Sequence, residues 1–430
     1  MKNIRWYGYW LTDFFRGSPV RKYYNEVKRE YSEGTSKTST QKKIRKLVDH
    51  AIRTTAFYEG FDEGIDFLDL PIMNKNIYNE NYDQFLSETY RNAKNNRVMY
   101  TSGSTGTPFA MVQNKNKINH NTAASIFLCS IMNYDVGLRQ GFLRVWVDAN
   151  RKTRFQEFVE NIYMIDVTHL DDEGIRQILD FIRKRKINVL LGYASTFVEL
   201  SKYLASHPYV INKVKIQSII STSEMLPESV RDNLREIFSC DVQSMYSNEE
   251  NGIMAVQSPD EIEYYVDSSS YDYEFLKLDS DLPADEGEIS RIVITDLYNY
   301  AFPILRYDTG DTAVYWREIC GGNYKVYLKE LFGRKTDVLF DSQGRQISPH
   351  AVTNYMWGVA GIRQWQFVQV GEVKYEVVIN LLEAEIDEID VINRLKNILG
   401  SEAQIIIRYV NEIPVLKSGK RRYIVNEYRN

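Results

Sequence analysis

At 430 residues, with 43% hydrophobic and 26% charged residues, the chain has a globular balance and room for about two or three domains, or for one large domain and a smaller companion. A net charge of −5 with no segment that gathers the basic residues argues against nucleic acid as the principal ligand, and no apolar run reaches the length of a membrane span. Three scattered cysteines, Cys129, Cys240 and Cys320, offer neither metal spacing nor a disulfide framework, which points to a reducing, cytoplasmic setting.

The opening residues, MKNIRWYGYWLTDFFRG, are aromatic, but Arg5 and Asp13 interrupt them and they lack the layout of a signal peptide. They read as a surface segment that packs onto the core, with contact to a membrane or partner as the alternative. Residues 33–43, EGTSKTSTQKK, are polar and without period, and read as a loop. From about 165 to 295 helical and strand patterns alternate. DDEGIRQILDFIRKRK has acidic caps, then Ile175, Ile178, Leu179 and Ile182 at helical spacing. NVLLGY is a buried-strand run, STFVELSKYLA a helix with a Ser/Thr cap, and IQSIIST a second strand. LPESVRDNLREIF places Pro227 in its first turn and Val230, Leu234, Ile237 and Phe238 on one face. ISRIVIT, 289–295, is one more strand. Such alternation predicts an α/β fold with a mostly parallel, helix-covered sheet.

After residue 335 the rhythm changes. RQWQFVQV and KYEVVINLLE read as a strand pair, EIDEIDVINRLKNILG as an amphipathic helix ending at Gly400, and QIIIRYV as a third strand. The expectation is a large N-terminal domain over 1–335 and a small α+β C-terminal domain over 336–430, with the boundary at GRKTD, 333–337.

TSGSTGTP, residues 101–108, is small and hydroxyl-rich. Gly103 and Gly106 can take positive φ, so several N–H groups can point inward and form an anion nest. Ser102, Ser104, Thr105 and Thr107 add hydroxyl donors. It is not a Walker loop, because no Gly-Lys-Ser/Thr follows, and alone it is equally a Ser/Gly turn. Four further stretches follow in order: SMYSNEENG (244–252), RYDTGD (306–311), GRKTD (333–337) and PVLKSGKRR (414–422). With TSGSTGTP they resemble the core motifs of the adenylate-forming superfamily of acyl-CoA synthetases, peptide-synthetase adenylation domains and luciferases. RKLVDHAIRTTAFYE, IISTSEMLPESVRDNLREIF, MYSNEENGIMA and DVLFDSQGRQISPHAV are similar, within it, to the phenylacetate-CoA ligase branch and its CapK-like capsule-biosynthesis members. The resemblance runs from about residue 45 to 423. It implies activation of a carboxylic acid by ATP and Mg2+ as an acyl-adenylate, with pyrophosphate released, and then transfer of the acyl group to CoA or another thiol or amine.

That chemistry suits these residue types. A carboxylate is ionised at neutral pH and needs no general base, so the lack of a His–Asp or Cys–His constellation is no objection. An anion must instead approach a polyanion, which calls for donors, cations and alignment. The resemblance implies that 101–107 (Thr101, Ser102, Gly103, Ser104, Thr105, Gly106 and Thr107) wrap the β- and γ-phosphates; Phe109 stands where many members have Lys. Tyr246 falls beside the adenine, with Ser247 where the motif has Gly. Glu250 takes the Mg2+-ligand place, and Glu249, in place of Ser/Thr, is the competing ligand. Asp311 matches the carboxylate that accepts from both ribose hydroxyls, and Arg306, Tyr307 and Asp308 shape the same loop. Arg334 would reach ribose or phosphate; Thr336 stands at the usual hinge aspartate. Lys420 matches the lysine that bridges the substrate carboxylate and the α-phosphate, a point charge on a flexible stem.

The acyl and nucleotide pocket should lie among LGYAST, IISTSE and the Tyr246 strand, with Tyr193, Ser195, Ser223 and Glu224 as candidates and core packing as the alternative role for each. Ser223 stands where relatives often have Gly. The five histidines show no ligand spacing. The acceptor could be CoA, an amine, an amino sugar or a carrier thiol. Two other readings stand beside acyl-CoA formation in polysaccharide biosynthesis: an amide-forming ligase that does not use CoA, and a catalytically idle nucleotide-binding scaffold. Neither a membrane span nor a nucleic-acid partner is expected.

Overall fold

A computed structural model describes residues 3–101, 109–146, 151–207, 215–259, 261–334, 338–347, 349–382, 385–414 and 422–428. The chain begins with helices α1 (Ile4–Phe15), α2 (Pro19–Glu33) and α3 (Lys37–Thr54), then two short ones, α4 (Lys75–Glu80) and α5 (Tyr82–Phe85). The expected loop over 33–43 is mostly helix. The Ser36 side chain caps α3 by accepting from the Ser39 N–H, and Thr40, Ile44, Leu47, Val48, Ala51 and Ile52 are buried along one face. The apolar stripe begins only at Ile44, so the polar first turn carries a cap but no period.

Strands β1 (Arg97–Thr101) and β2 (Phe109–Gln113) form a separate antiparallel pair, and α6 (Lys115–Ile131) follows. The alternating region then runs β3 (Gln140–Arg144), α7 (Arg154–Glu160), β4 (Ile162–Asp166), α8 (Asp172–Arg185), β5 (Val189–Tyr193), α9 (Ala194–Ser206), β6 (Ser218–Thr222), α10 (Glu228–Phe238) and β7 (Asp241–Asn248). Helix α8 forms for the reasons its sequence states. Asp171 accepts from the Gly174 N–H, acids occupy its first turn and bases its last, and Ile175, Ile178, Leu179 and Ile182 are buried. Each such side chain contributes on the order of 1.5–3 kcal/mol through burial.

Strands β8 (Gly252–Gln257), β9 (Tyr264–Val266), β10 (Tyr271–Leu276), β11 (Ile289–Asp296), β12 (Tyr307–Cys320) and β13 (Asn323–Arg334) complete an 11-stranded sheet in the order β10-β11-β12-β13-β9-β8-β7-β6-β5-β3-β4. The α/β class holds, and the sheet is mixed. Strands β4, β3, β5, β6 and β7 run parallel to one another, whereas every pairing from β7 to β10 is antiparallel. Helices separate the parallel strands in sequence, whereas short turns join antiparallel pairs such as β7–β8 and β12–β13, which is what each geometry requires.

Beyond residue 338 come β14 (Leu339–Phe340), β15 (Gln346–Ile347), α11 (Pro349–Trp357), β16 (Ile362–Gln369), β17 (Lys374–Leu381), α12 (Glu388–Leu399), β18 (Gln404–Tyr409) and β19 (Ile424–Asn426). The expected strand pair, the third strand and the helix ending at Gly400 are present, and the third strand pairs with β17. The four-stranded sheet is ordered β18-β17-β16-β19. Its core includes Trp365, Phe367, Tyr375, Leu395 and Leu399. Strand β19 has too few residues to show a period, yet it pairs in parallel with β16.

Candidate active site

Parallel strands place all their carboxyl ends on one edge of the sheet. Strand β3 pairs with both β4 and β5, so the strand order reverses there, and open α/β sheets bind ligands in the crevice at such a point. Four strand ends meet on this edge: Arg144 ends β3, Tyr193 ends β5, Thr222 ends β6 with Ser223 after it, and Tyr246 and Ser247 lie near the end of β7.

Tyr246 is buried. Its hydroxyl donates to Oδ2 of Asp311 at 2.8 Å, with Thr309 Oγ1 at 3.5 Å. Burial first, and then the Asp311 carboxylate, hold this phenol well above its ordinary pKa, so it remains a protonated donor. Asp311 lies on β12 directly across from Arg334 on β13. Residues from three of the distant motifs therefore converge; the Arg334 side chain lies outside the described residues.

Glu250 is buried and its neighbour Glu249 is exposed. The Glu250 Oε1 atom is 3.5 Å from Lys75 Nζ and accepts from the Tyr307 hydroxyl at 3.5 Å. Lys75 opens α4, after Asn74 has capped the helix by accepting from the N–H groups of Asn76 and Ile77. No linear motif announces Lys75; only the folded chain brings it to Glu250. The turn is backed by a buried chain of polar groups: Lys117 Nζ pairs with Asp296 at 2.6 Å and donates to the Tyr271 hydroxyl at 3.0 Å, and that hydroxyl donates to the Asn251 carbonyl. The oxygens here, those of the Glu250 carboxylate and the Tyr307 hydroxyl, are of the kind a hard cation takes, while the Lys75 ammonium already balances the carboxylate charge. Among the described residues no group of three His, Cys, Asp or Glu could hold a metal ion.

The RYDTGD stretch, expected as a loop, is the start of β12 from Tyr307 onward, and it is braced from behind. Arg306 bonds both carboxylate oxygens of Glu274 at 3.0 and 2.8 Å and the Leu68 and Leu70 carbonyls at 2.5 and 2.6 Å. Asp308 pairs with Arg291 at 2.7 Å and accepts from the Gly310 N–H at 2.8 Å.

The pocket candidates divide. Tyr193 is buried, and burial raises its pKa while nearby Arg144 opposes the shift and Glu224 and Glu249 add to it. Arg144 is thus a site-edge cation that the sequence reading missed; its Nε is buried without a hydrogen-bond partner. Glu224 Oε2 accepts from the Ser195 N–H at 2.8 Å. Helix α9 has no cap from the residue before it, so this distant carboxylate takes the place of the expected Ser/Thr cap. Ser223 sits at φ +70°, the left-handed region that favours glycine, at a backbone cost of about 1 kcal/mol. Ser247 Oγ lies 3.3 Å from Thr222 Oγ1.

Thr101 closes β1 opposite Phe109 on β2, so the two ends of the hydroxyl-rich stretch meet at a strand pair. Ser102, Gly103, Ser104, Thr105, Gly106 and Thr107 lie outside the described residues, as do Thr336 and Lys420. The chain around Lys420 is anchored on both sides: Gln364 Oε1 accepts from the Ile413 N–H at 2.8 Å, and Gln366 donates to the Arg422 carbonyl at 2.8 Å.

Residues 339–427 match the CapK C-terminal domain family. Over 385 residues the chain is 23% identical to protein CapK of Staphylococcus aureus, covering 84% of this chain and 80% of that protein. The structure of 2-hydroxyisobutyryl-CoA ligase in the postadenylation state with 2-HIB-AMP superposes with a TM-score of 0.71 at 15% identity, over 93% of this chain and 92% of that one. In its thioesterification state with 2-HIB-AMP and CoA, the same ligase gives 0.57 at 15% identity, over 91% and 90%. The amide bond synthetase McbA from Marinactinospora thermotolerans gives 0.54 at 14% identity, over 75% and 66%.

Proposed function

We propose that this chain, CapK-like in sequence and adenylate-forming in fold, is an ATP-dependent ligase that activates a carboxylic acid. A carboxylate oxygen attacks the α-phosphorus of ATP; the new O–P bond forms as the bond to pyrophosphate breaks. The acyl group then passes to CoA or another thiol or amine. The observation that carries this reading is the convergence of Tyr246, Asp311, the Arg334 backbone and buried Glu250 beside the carboxyl ends of the parallel strands.

The roles follow from position. Tyr246 lines the adenine side and steers Asp311, whose carboxylate takes the ribose hydroxyls. Glu250, with its neighbouring donors, would hold Mg2+, which supplies charge neutralisation on the phosphates. The burial of Glu250 beside exposed Glu249 favours Glu250 as the ligand. Residues 101–107, set on the closed end of the β1–β2 pair, cradle the outgoing pyrophosphate. Tyr193, with Arg144 beside it, faces the acyl group. Ser195, Ser223 and Glu224 shape the same wall, the last by capping α9. Lys420 comes from a small domain over 336–430 and neutralises the two approaching anions; Arg334, ahead of the connection, contributes near the ribose. Closer superposition on the postadenylation than on the thioesterification state of one ligase supports an arrangement suited to the first half-reaction.

The capsule or surface-polysaccharide setting rests on likeness to CapK, and the cytoplasm is the compartment that supplies ATP and CoA. Likeness to an amide bond synthetase supports a second reading, in which an amine or amino sugar accepts the acyl group directly. The deciding experiment is exchange of labelled pyrophosphate into ATP across a panel of carboxylic acids, followed by single-turnover transfer to CoA or to amines. Acid-dependent exchange supports the ligase; nucleotide binding without exchange on any acid overturns it in favour of a scaffold.

A further inference from the structure

Helix α1 is docked on one side only. Trp10 is buried against α2, edge-on to Tyr24 at 5.1 Å, and Arg21 lies over the Trp10 ring at 4.0 Å. Buried Asp13 accepts from the N–H groups of Val20 and Arg21 at 3.1 and 2.9 Å, which locks the α1–α2 corner. The opposite face carries Ile4, Tyr7, Leu11, Phe14 and Phe15, which are 87%, 56%, 57%, 66% and 78% exposed. At about 100° per residue these five fall within an arc of roughly 100°. Beside them, Arg5 donates to the Phe158 carbonyl at 2.7 Å and lies over its ring at 4.9 Å, joining α1 to α7. Helix α7 exposes Phe155, Phe158 and Val159 at 75%, 69% and 58%, again at i, i+3 and i+4.

We propose that this aromatic face lies on an anionic lipid bilayer, with α1 and α7 in the interface plane. Fixed exposed apolar stripes of this kind mark interaction surfaces, and the charge decides which kind. Residues 3–22 carry Arg5, Arg16, Arg21 and Lys22 against buried Asp13, and residues 151–160 carry Arg151, Lys152 and Arg154 against Glu157 and Glu160. The region is therefore basic, in a chain whose net charge is −5. Cations flanking an aromatic stripe complement an anionic headgroup layer and add to its attraction for the stripe. A two-fold pairing of copies through the same face would set these cations against each other. No helix among the described residues is long and apolar enough to cross a membrane, so the contact is peripheral.

The test is sedimentation of the full chain with vesicles of phosphatidylcholine, alone or mixed with phosphatidylglycerol. The protein should pellet with the anionic vesicles, weakly with neutral ones, and less as salt rises. The L11D/F14D and F155S/F158S pairs should each reduce partitioning about tenfold or more, with helix content and thermal unfolding unchanged. The R16E/K22E pair keeps the stripe and should lower binding to anionic vesicles alone. Failure to partition at any anionic content, or self-association without vesicle binding that the same stripe variants abolish, overturns the proposal. So does a folded stripe variant that still partitions as the parent does.

Discussion

The Tyr246 hydroxyl reaches across the sheet to donate to Asp311 Oδ2 at 2.8 Å, joining two motifs 65 positions apart. Replacing Tyr246 by Phe removes this donor from the half-buried Asp311 carboxylate, so stability should fall by about 0.5–1.5 kcal/mol. If Asp311 holds the ribose, Asp311→Asn should raise the KM for ATP more than it lowers kcat. Urea unfolding and pyrophosphate exchange measured over a range of ATP concentrations would separate the two effects.

If the Glu250 charge holds Mg2+, Glu250→Gln should lower exchange by about 10²–10³. Glu249→Gln should change it little. A reversed order would move the ligand to the exposed neighbour. Lys75→Met leaves the Glu250 carboxylate without a cation 3.5 Å away, so unfolding should occur about 1–3 kcal/mol earlier, with part of the loss restored by Mg2+ and ATP.

Lys420→Ala should reduce the first half-reaction by about 10²–10³ while nucleotide affinity stays close to that of the parent. If the lysine serves the meeting of two anions and not the later attack, transfer from a supplied acyl-adenylate should survive. Equal loss in both half-reactions would assign it a structural role instead.

Glu224→Ala removes the acceptor for the Ser195 N–H and should cost about 0.5–2 kcal/mol in thermal stability. Glu224→Gln keeps an acceptor oxygen and should recover most of that. If the cap is the whole role, neither variant changes the KM for the acid; a changed KM with the Gln variant at full stability would place Glu224 against the substrate.

Of 31 tyrosines, several are buried with their hydroxyls held well above the ordinary phenol range, foremost by burial: Tyr246, Tyr265 and Tyr271. Unfolded, they release protons near pH 10; folded, they retain them. Because the native state binds more protons there, stability is fully present below about pH 10 and falls as pH rises beyond it. Chemical unfolding between pH 8 and pH 11 should show a steep alkaline loss, reduced in Tyr265→Phe. A flat profile would exclude the linkage.

The alternating region was legible because helices such as α8 repeat their apolar residues and carry their own caps, and because β5 and β6 are short apolar runs between them. The start of α3 was not, since its first turn is polar throughout. The cap of α9 was misplaced because its acceptor, Glu224, lies 29 residues from Ser195. Lys75 and Arg144 escaped for the same reason: a lone cation has no signature until another part of the chain comes to rest beside it.

Local sequence alone determined helices such as α8, α10 and α12 and strands such as β5 and β6, since periodicity and caps are properties of contiguous chain. Tertiary structure alone decided that half of the sheet is antiparallel, that Glu250 turns inward beside Lys75 while Glu249 turns out, and that the aromatic side of α1 remains uncovered. Burial and charge pairing depend on what the rest of the chain places next to a residue, and no window of neighbouring letters contains that information.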